Sequence, residues 1–468
     1  MTTTAPDANA SQASPLLSGS LLRAVTALAV PMLVSGALQE VQALIDLFWV
    51  GRLGAHAITA VAVSGVVLFM FAPVAVGLMV GTMAVVSRRV GAGQPREAGQ
   101  AVAQSLLLAG ISGLIVSVAG WFLAPGIFQK MGLHASAISS AADQKLIFEE
   151  GVAFLRILFA GQWMFFTLLA SFASLQGAGN TRTPMVCSLC ASALNIVLDP
   201  FLIYGLGPFP CLGVPGAALA TVISQMVALA AALYALRKAR TGFFVERAAF
   251  RPDFDLCKRI LRVGLPGSGQ IFLRSAMGLV MMRIVATCGP LAVAGYGVAW
   301  RWHMLILMPA FALGNATAAL VGQNLGAKQP ERARRAAWMA SWLDAGLMFV
   351  FALAALAVAG PMVGLFTTDP EVRRIVAECL RVISPTYPAV AFGIVLGRAL
   401  NGAGDSMAPM VITGISLWIV QVPAAFCFAQ VTSPATMGIW YGMVAGNILH
   451  ASLILARFRH GAWMRREV

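Results

Sequence analysis

Long apolar stretches alternate with short polar ones along the whole chain, and this pattern predicts a helical membrane protein. Twelve stretches are apolar and show no strict alternation of apolar and polar positions. About 20 apolar residues span a bilayer as a helix, and only helices or closed barrels satisfy the backbone there. Stretches of this length favour helices over barrel strands. They cover residues 22–50, 57–87, 99–124, 151–176, 184–205, 213–236, 260–287, 290–320, 336–360, 376–402, 408–430 and 436–458.

The composition excludes a water-soluble protein. Of 468 residues, 59% are hydrophobic and 11% are charged, whereas soluble domains have roughly 45–50% apolar and about 25% charged residues. The mean hydropathy is +0.82. Too few polar side chains are present to cover a soluble core, and the hydrophobicity excludes disorder. We therefore expect an all-α integral membrane protein with twelve transmembrane helices.

The basic residues predict the orientation of the chain. The net charge is +14, and most Lys and Arg follow the second, fourth, sixth, eighth and twelfth stretches. We call the end of the bundle that carries these connections the basic end, and the opposite one the far end. Lys and Arg gather in cytoplasmic loops, so we expect a multi-pass protein of the bacterial inner membrane with both termini in the cytoplasm. No basic soluble domain is present, so nucleic acid is not an expected partner.

The two halves of the chain repeat each other. Three matches recur in register: V-G-A-G-Q-P-R-E-A (90–98) with L-G-A-K-Q-P-E-R-A (325–333), Q-G-A-G-N-T-R-T-P-M (176–185) with N-G-A-G-D-S-M-A-P-M (401–410), and Pro31 with Pro266. Such parallel repeats are typical of transporters built from two similar lobes. We expect a polar cytoplasmic tail (1–21), a first six-helix lobe (22–236), a linker (237–259), a second lobe (260–458) and a second tail (459–468).

A group of polar residues in the first half is a candidate site for a coupling ion. Ionisable residues inside spans are costly and are functional candidates by default. Asn195 and Asp199 are four residues apart and share one helix face, and Asp46 and Thr221 lie at similar depths on other spans. Two carboxylates in a low-dielectric environment can take up a proton, and the same oxygens could hold Na⁺. Alternatively, Asp199 only caps or positions its helix before Pro200, and Asp46 lies among lipid headgroups beside Arg52.

The second half lacks an equivalent group, since Met281 stands at the repeat position of Asp46. Other polar residues are candidates for lining a substrate cavity. They are Glu40, Gln39, Gln176, Arg274 and Arg301. Packing or snorkelling is the alternative for the two arginines.

Enzymatic motifs are missing from the sequence. It contains no H-E-x-x-H, no P-loop and no G-x-S-x-G, which are signatures of zinc proteases, nucleotide hydrolases and serine hydrolases. The missing P-loop argues against ATP-driven transport, so we expect a secondary-active transporter with H⁺ or Na⁺ as coupling ion. We expect no enzymatic activity, no resident cofactor or metal, a monomeric state, and membrane lipid as surroundings. A flippase for lipid-linked precursors is the alternative.

The chain resembles the multidrug and toxic compound extrusion (MATE) transporters over nearly its whole length after the N-terminal tail. The resemblance is carried by D-L-F-W-V-G-R-L-G-A (46–55), G-A-G-Q-P (91–95), Q-G-A-G-N-T-R-T-P (176–184), N-I-V-L-D-P-F-L-I-Y-G (195–205), G-V-P-G-A-A-L-A-T (213–221) and L-V-G-Q-N-L-G-A (320–327).

This resemblance implies two six-helix lobes in a V shape around a central cleft, working by alternating access as an H⁺ or Na⁺ antiporter of organic cations and drugs. We therefore expect a secondary-active exporter of small amphipathic molecules. It further implies a cation site at Asp46, Asn195, Asp199 and Thr221, and a first helix that bends near Pro31. In another branch of that family an acidic residue lies on the seventh helix, where this chain has Arg274. That departure favours ion coupling in the first half.

Overall fold

The computed structural model describes residues 16–132, 141–238, 243–364 and 369–466, so parts of both tails and of the linker lie outside it. Within these ranges, twelve helices are long and apolar enough to cross a membrane. They are α1 (Leu21–Gly51), α2 (Ala55–Gly91), α3 (Pro95–Gly132), α4 (Ala141–Gly177), α5 (Arg182–Tyr204), α6 (Val214–Arg237), α7 (Phe254–Ala286), α8 (Pro290–Gly326), α9 (Pro330–Gly364), α10 (Pro370–Gly402), α11 (Met407–Val431) and α12 (Ala435–His460). The expected all-α fold with twelve spans is confirmed.

Several helices continue beyond the apolar stretches that predict them. α7 begins at Phe254, within the stretch assigned to the linker. Its start is set by Asp253, whose carboxylate accepts hydrogen bonds from the backbone N–H groups of Asp255 and Leu256. A cap of this kind satisfies backbone donors that hydropathy does not report. α12 likewise runs to His460, and a short 3₁₀ turn follows at Ala462–Arg465.

The turns of the two halves repeat in conformation as well as in sequence. Gly93 after α2 and Lys328 after α8 both have positive φ, +69° and +58°. The next residue in each turn donates its backbone N–H to the carbonyl five residues earlier, from Gln94 to Arg89 and from Gln329 to Asn324. Lys328 is the one non-glycine residue with positive φ in the described part of the chain. The repeat therefore preserves a left-handed turn even where it has lost the glycine that suits it.

The two halves contact each other at the basic end. α2 packs there on α7 and α8 so closely that Gly81 and Gly91 have no room for a Cβ against the backbone of Ile260 and Gln323. Small residues allow helices to approach in this way in membranes. In the described residues, the apolar clusters toward the far end each belong to one half. The halves therefore diverge from the basic end, and we call their contact there the seam.

α1 takes part in both halves. Its first turns, including Ala24, Leu28 and Met32, pack on α8, α9 and α10 of the second half. Its last turn packs in a cluster with α2, α4, α5 and α6 of the first half, through Trp49 and Val50. Pro31 lies within the first of these segments, between Leu28 and Met32, and is buried. A helix with an internal proline can bend there at low cost.

Candidate functional site

Two carboxyl groups meet inside the first half, between α1 and α5. Asp199 is completely buried, and Asp46 is partly buried. The two groups lie within hydrogen-bonding reach of each other. In the described residues neither forms an ion pair with a basic side chain, and Oδ2 of Asp199 has no hydrogen-bond partner. The arrangement can hold a proton between two oxygens, or a small cation.

The amide of Asn195 completes this group, and it fits either charge state of Asp46. Its Nδ2 donates to Oδ1 of Asp199 at 3.5 Å, and its Oδ1 accepts from Nε2 of Gln42 at 2.6 Å. In this orientation Oδ1 can accept from a protonated Asp46. Turning the amide by 180° places its nitrogen 2.9 Å from Oδ1 of Asp46, where it donates to the ionised carboxylate.

Gln42 and Ser192 extend the chain of hydrogen bonds away from the carboxyl groups. Oε1 of Gln42 accepts from the hydroxyl of Ser192 at 2.7 Å. A hydroxyl can both donate and accept, so the chain from Asn195 to Ser192 can reverse its direction if both amides turn. We call Gln42, Asp46, Ser192, Asn195 and Asp199 the carboxyl cluster.

Thr221 lies beside the cluster but takes part through its backbone. Its hydroxyl donates to the carbonyl of Ala217 in its own helix, at 3.0 Å. Its backbone nitrogen is 3.3 Å from the oxygen position of the turned Asn195 amide. Thr221 therefore adds a backbone donor, and its side chain is engaged within α6.

The contacts around the two acids bear on their alternative roles in the helix end and in the headgroup zone. α5 continues past Asp199 to Tyr204 and ends at Gly205 with φ +70°, so Asp199 is not a cap. The guanidinium of Arg52 lies over the ring of Phe48, 4.5 Å from its centre, and makes no ion pair with Asp46. The far end of α1 is held to α5 instead by the hydroxyl of Tyr204, which donates to the carbonyl of Trp49 at 2.6 Å.

A separate cavity of about 530 Å³ lies in the second half, toward α2. Arg274 of α7 and Arg398 of α10 line it, together with the aromatic side chains of Phe69, Tyr296, Trp300, His303 and Phe311. Part of its wall comes from α11, whose segment Gly414–Gln421 is a π-helix. Such segments are frequent at functional sites because they re-aim side chains.

The remaining cavity candidates lie outside the lining of this space. Gln39, Glu40 and Arg301 are exposed. Adjacent residues of a helix point about 100° apart, and Arg301 lies between Trp300 and Trp302 on α8. Gln176 is at the basic end, beside Gly177, whose carbonyl accepts from Nε2 of Gln323. Of the five, Arg274 alone lines the cavity.

Comparison with known proteins decides the family. The sequence profile of the MatE family matches residues 31–201 and 266–427, most of both halves. The chain belongs to the MatE family. It is a multi-pass membrane transporter of the MATE type and not an enzyme, as the sequence predicts.

Curated relatives match nearly the full length of this MATE transporter. The probable multidrug resistance protein NorM of Thermotoga maritima is 29% identical over 94% of the chain and 93% of that protein. A FAD transporter of Shewanella oneidensis is 28% identical over 82% of each.

Solved structures agree with the fold. An outward-facing multidrug resistance MATE transporter of the MOP superfamily has a TM-score of 0.87 at 27% identity, over 96% of this chain and 97% of that one. A MOP superfamily transporter from Pyrococcus furiosus, described as having a binding pocket of reverse polarity, has a TM-score of 0.87 at 26% identity, over 97% and 98%.

The repeat shows how the two halves of this MATE transporter differ. The positions of the second half that correspond to the carboxyl cluster are all apolar: Met277, Met281, Leu417, Val420 and Ala424. Conversely, Arg274 of the cavity corresponds to Gln39 in the first half. At these corresponding positions, the acidic groups therefore occur only in the first half and the cavity arginine only in the second.

Sequence reasoning missed Gln42, Ser192 and Arg398. Gln42 is four residues before Asp46, and Ser192 is three before Asn195, so each shares a helix face with a residue that was recognised. That spacing was the available signal. Arg398 lies in an apolar run near a span end, where basic residues ordinarily snorkel, and only the packing of α8 against α10 shows that it lines the cavity.

Proposed function

We propose that this MATE transporter is a secondary-active exporter that exchanges small amphipathic molecules for H⁺ or Na⁺ at the carboxyl cluster. The observation that carries the proposal is the pair Asp46 and Asp199, two carboxyl groups within hydrogen-bonding reach without a basic partner among the described residues. Two adjacent negative charges in a low-dielectric interior repel each other. The pair therefore needs a proton or a cation, and a gradient of that ion can drive the transport cycle.

We further propose that the basic end faces the cytoplasm of a bacterial inner membrane. In that orientation the seam closes the cytoplasmic side, and the cleft between the halves opens outward. Binding of the ion changes the charge of the cluster and the packing of α1 beside it. A bend of α1 at Pro31 then transmits this change to the seam, because the segment around Pro31 packs on the second half.

Multidrug export is the favoured activity because relatives that match nearly the whole chain are named multidrug resistance proteins. Export of a flavin nucleotide is a second candidate, which the related FAD transporter supports. The uncoupled movement of a lipid-linked precursor is less consistent with the carboxyl cluster, since a flippase that uses no ion gradient has no use for a buried acidic pair.

Reconstitution with separate gradients tests the coupling site. We expect Asp46→Asn and Asp199→Asn each to reduce gradient-driven efflux to that of empty liposomes, because a permanently neutral group cannot cycle. Folded protein should be retained, since neutralising an unpaired buried charge does not destabilise. The double variant should be no worse than either single variant, because both residues act in one step. The measurement is efflux of a fluorescent substrate under a ΔpH and under a Na⁺ gradient, each imposed alone.

Glu40→Gln is the matched control, since Glu40 is an exposed acid on the same helix. It should keep its dependence on the gradient. Wild-type efflux by both Asn variants under both gradients would show that the carboxyl cluster is not the coupling site. Equal transport with and without any gradient in the wild type would instead support the flippase.

A further inference from the structure

The second-half cavity carries positive charge that nothing in the protein balances. Arg274 and Arg398 both line it, and each acts electrostatically on the other. Within the part of the chain that the structure describes, neither guanidinium makes an ion pair or a hydrogen bond with a protein acceptor, and no Asp or Glu belongs to the lining. Two like charges in a cavity of low dielectric are unfavourable until an anion joins them.

The other polar side chains of the cavity are neutral or are already occupied with each other. Gln270 accepts from Asn401 at 3.2 Å and donates to the hydroxyl of Thr413 at 3.3 Å. That hydroxyl is also 3.3 Å from Nε2 of His450. His303 is 3.3 Å from the hydroxyl of Tyr387. These groups leave the two guanidinium groups unpaired and add no negative charge.

Two buried polar atoms of residues that line the same space lack a hydrogen-bond partner. The hydroxyl of Tyr296 and Oε1 of Gln421 have no hydrogen-bond partner, although both residues line the cavity and are at most 3% exposed. A phenolic hydroxyl can donate to an anion. The side chain of Arg398 is held in place by packing against Gly314 and by the ring of Phe311, 6.0 Å from its guanidinium. The cavity therefore presents donors held in place by packing, at Arg398 and Tyr296, and one acceptor without a partner, at Gln421.

The rest of the wall is suited to a flat apolar body. Phe69, Tyr296, Trp300 and Phe311 supply aromatic faces, and Met277, Met282, Met304 and Met443 supply adaptable apolar surface. A volume of about 530 Å³ is in the range of pockets for drug-sized ligands, roughly 300–1,000 Å³.

We propose that this cavity binds amphipathic organic anions, an aromatic body carrying a phosphate, sulfonate or carboxylate that Arg274 and Arg398 hold. Arginine suits such groups because its planar fork matches their oxygens. The inference rests on the proposed function in taking the ligand as a transported substrate. It assigns recognition of the anionic substrate to the second half and binding of the coupling ion to the first. The substrate and the coupling ion therefore bind to different side chains and do not compete for them.

Binding of flavins to the purified protein tests the proposal without any gradient. FMN and riboflavin share one ring system and differ by a phosphate, and ethidium is an aromatic cation of similar size. We expect FMN to bind at least about tenfold more tightly than riboflavin, as one charge-assisted hydrogen bond predicts, and ethidium not to compete. Quenching of flavin fluorescence in nanodiscs of phosphatidylcholine measures the affinities.

Substitutions locate the effect in the cavity. Arg274→Gln and Arg398→Gln should each weaken FMN binding about tenfold and leave riboflavin binding within about twofold. Arg274→Lys should lose less than Arg274→Gln, and it keeps the test decisive if the neutral variant does not fold. Arg301→Gln, an exposed arginine on α8, should bind FMN like the wild type. Equal binding of FMN and riboflavin, or an equal loss in Arg301→Gln, would overturn the proposal.

A lipid phosphate is the other source of the same chemistry. Repeating the FMN titration in nanodiscs that contain phosphatidylglycerol separates the two. Unchanged FMN affinity supports a soluble ligand. Displacement of FMN by phosphatidylglycerol in the wild type, but not in Arg274→Gln, would assign the cavity to a lipid headgroup and refute the substrate site. Because no step requires transport, these outcomes are independent of the Asp46 and Asp199 variants.

Discussion

The amide of Asn195 has hydrogen-bonding chemistry that fits both charge states of the carboxyl cluster. An amide presents a donor at one edge and an acceptor at the other, so a half-turn exchanges them without moving the backbone. Asp46 faces this amide at 2.9 Å. A site that must bind and release an ion needs similar stability with and without it. The Asn195 amide can pair with Asp46 in either state, as a donor to the ionised carboxylate or as an acceptor from the protonated one.

Gln42 is expected to tune the affinity for the ion and not to carry it. It fixes Asn195 from α1 through the 2.6 Å hydrogen bond, and Gln42→Leu leaves the buried amide without that partner. A lost hydrogen bond of this kind costs about 1–3 kcal/mol, so we expect the half-saturating ion concentration to rise about tenfold. The maximal rate at saturating gradient should be retained. Transport in proteoliposomes over a series of Na⁺ concentrations or pH values measures the half-saturating ion concentration and the maximal rate separately.

Gln39→Leu is the control, because Gln39 is an exposed glutamine one turn earlier on α1. It should leave the ion dependence unchanged. A lower maximal rate with unchanged ion affinity in Gln42→Leu would assign Gln42 a structural role only.

At the scale of single residues, the sequence indicated the ionisable residues of the carboxyl cluster more clearly than the neutral polar ones. Asp46 and Asp199 were recognised because ionisable groups are costly inside a span, and Asn195 because it shares a helix face with Asp199. The structure brings these three together. Gln42 and Ser192 carry no such cost, so they are conspicuous only when the partner helix is known. Arg301 and Arg398 are equally basic in sequence, and the direction of each side chain around its helix decides which one lines the cavity.

At the scale of helices, the backbone of α1 lacks one hydrogen bond within the segment that packs on the second half. Pro31 has no N–H to donate to the carbonyl of Ala27. That carbonyl accepts instead from the hydroxyl of Thr181, at 3.4 Å, at the start of α5. The weak point of α1 is thus tied to the helix that carries Asn195 and Asp199.

Pro31→Ala is expected to stabilise α1 as a straight helix and to slow transport. Proline in a helix interior costs roughly 3 kcal/mol. Without it the straight helix is more stable, so bending α1 during transport costs more free energy. We expect the maximal transport rate to fall roughly tenfold, which corresponds to about 1.4 kcal/mol, with the thermal stability of the protein equal or higher. Efflux from proteoliposomes and a melting curve measure the two effects.

Pro266→Ala supplies a matched comparison from the repeat, since Pro266 is the counterpart of Pro31 in α7. α7 carries no part of the carboxyl cluster, so its variant should be less impaired. Equal or greater impairment in Pro266→Ala would place the decisive bend in the second half.

Helix existence was predictable, whereas several helix ends were not. The twelve spans follow from apolar length alone, and each has its helix in the structure. The polar first turns of α3, α7 and α9 lie outside the apolar stretches because they are fixed by turns and caps. The π-helix of α11 has no signal in the apolar pattern, since it depends on packing against neighbouring helices.

At the scale of the whole molecule, the seam and the basic residues lie at the same end. Arg466 forms an ion pair with Asp405 at 3.3 Å and accepts a hydrogen bond from Arg88 through its backbone carbonyl. The C-terminal segment therefore joins the end of α2 to the second half. The sequence predicted two halves from the repeat, but not which end of them would be closed, because both ends are compatible with the same spans.

Labelling with a membrane-impermeant maleimide tests the orientation. Cys211 is exposed in the far-end loop between α5 and α6, and Arg465 is exposed at the basic end. We expect Cys211 to react in intact cells, and this signal to vanish in Cys211→Ser. A cysteine introduced by Arg465→Cys into the Cys211→Ser protein should react only after permeabilisation. The reverse pattern would place the termini outside the cell.

The position of α1 in the seam has a consequence for how the protein is made. About 300 residues separate Leu28 from its contacts around Ala336 and Ala340, and at about 5–20 residues per second a ribosome needs about 15–60 s to supply them. Asn195 and Asp199 reach Asp46 in roughly half that time. The first turns of α1 meanwhile face lipid, which their apolar residues tolerate. During synthesis, the carboxyl cluster can therefore form before the seam does, while the basic end of the transporter is still open.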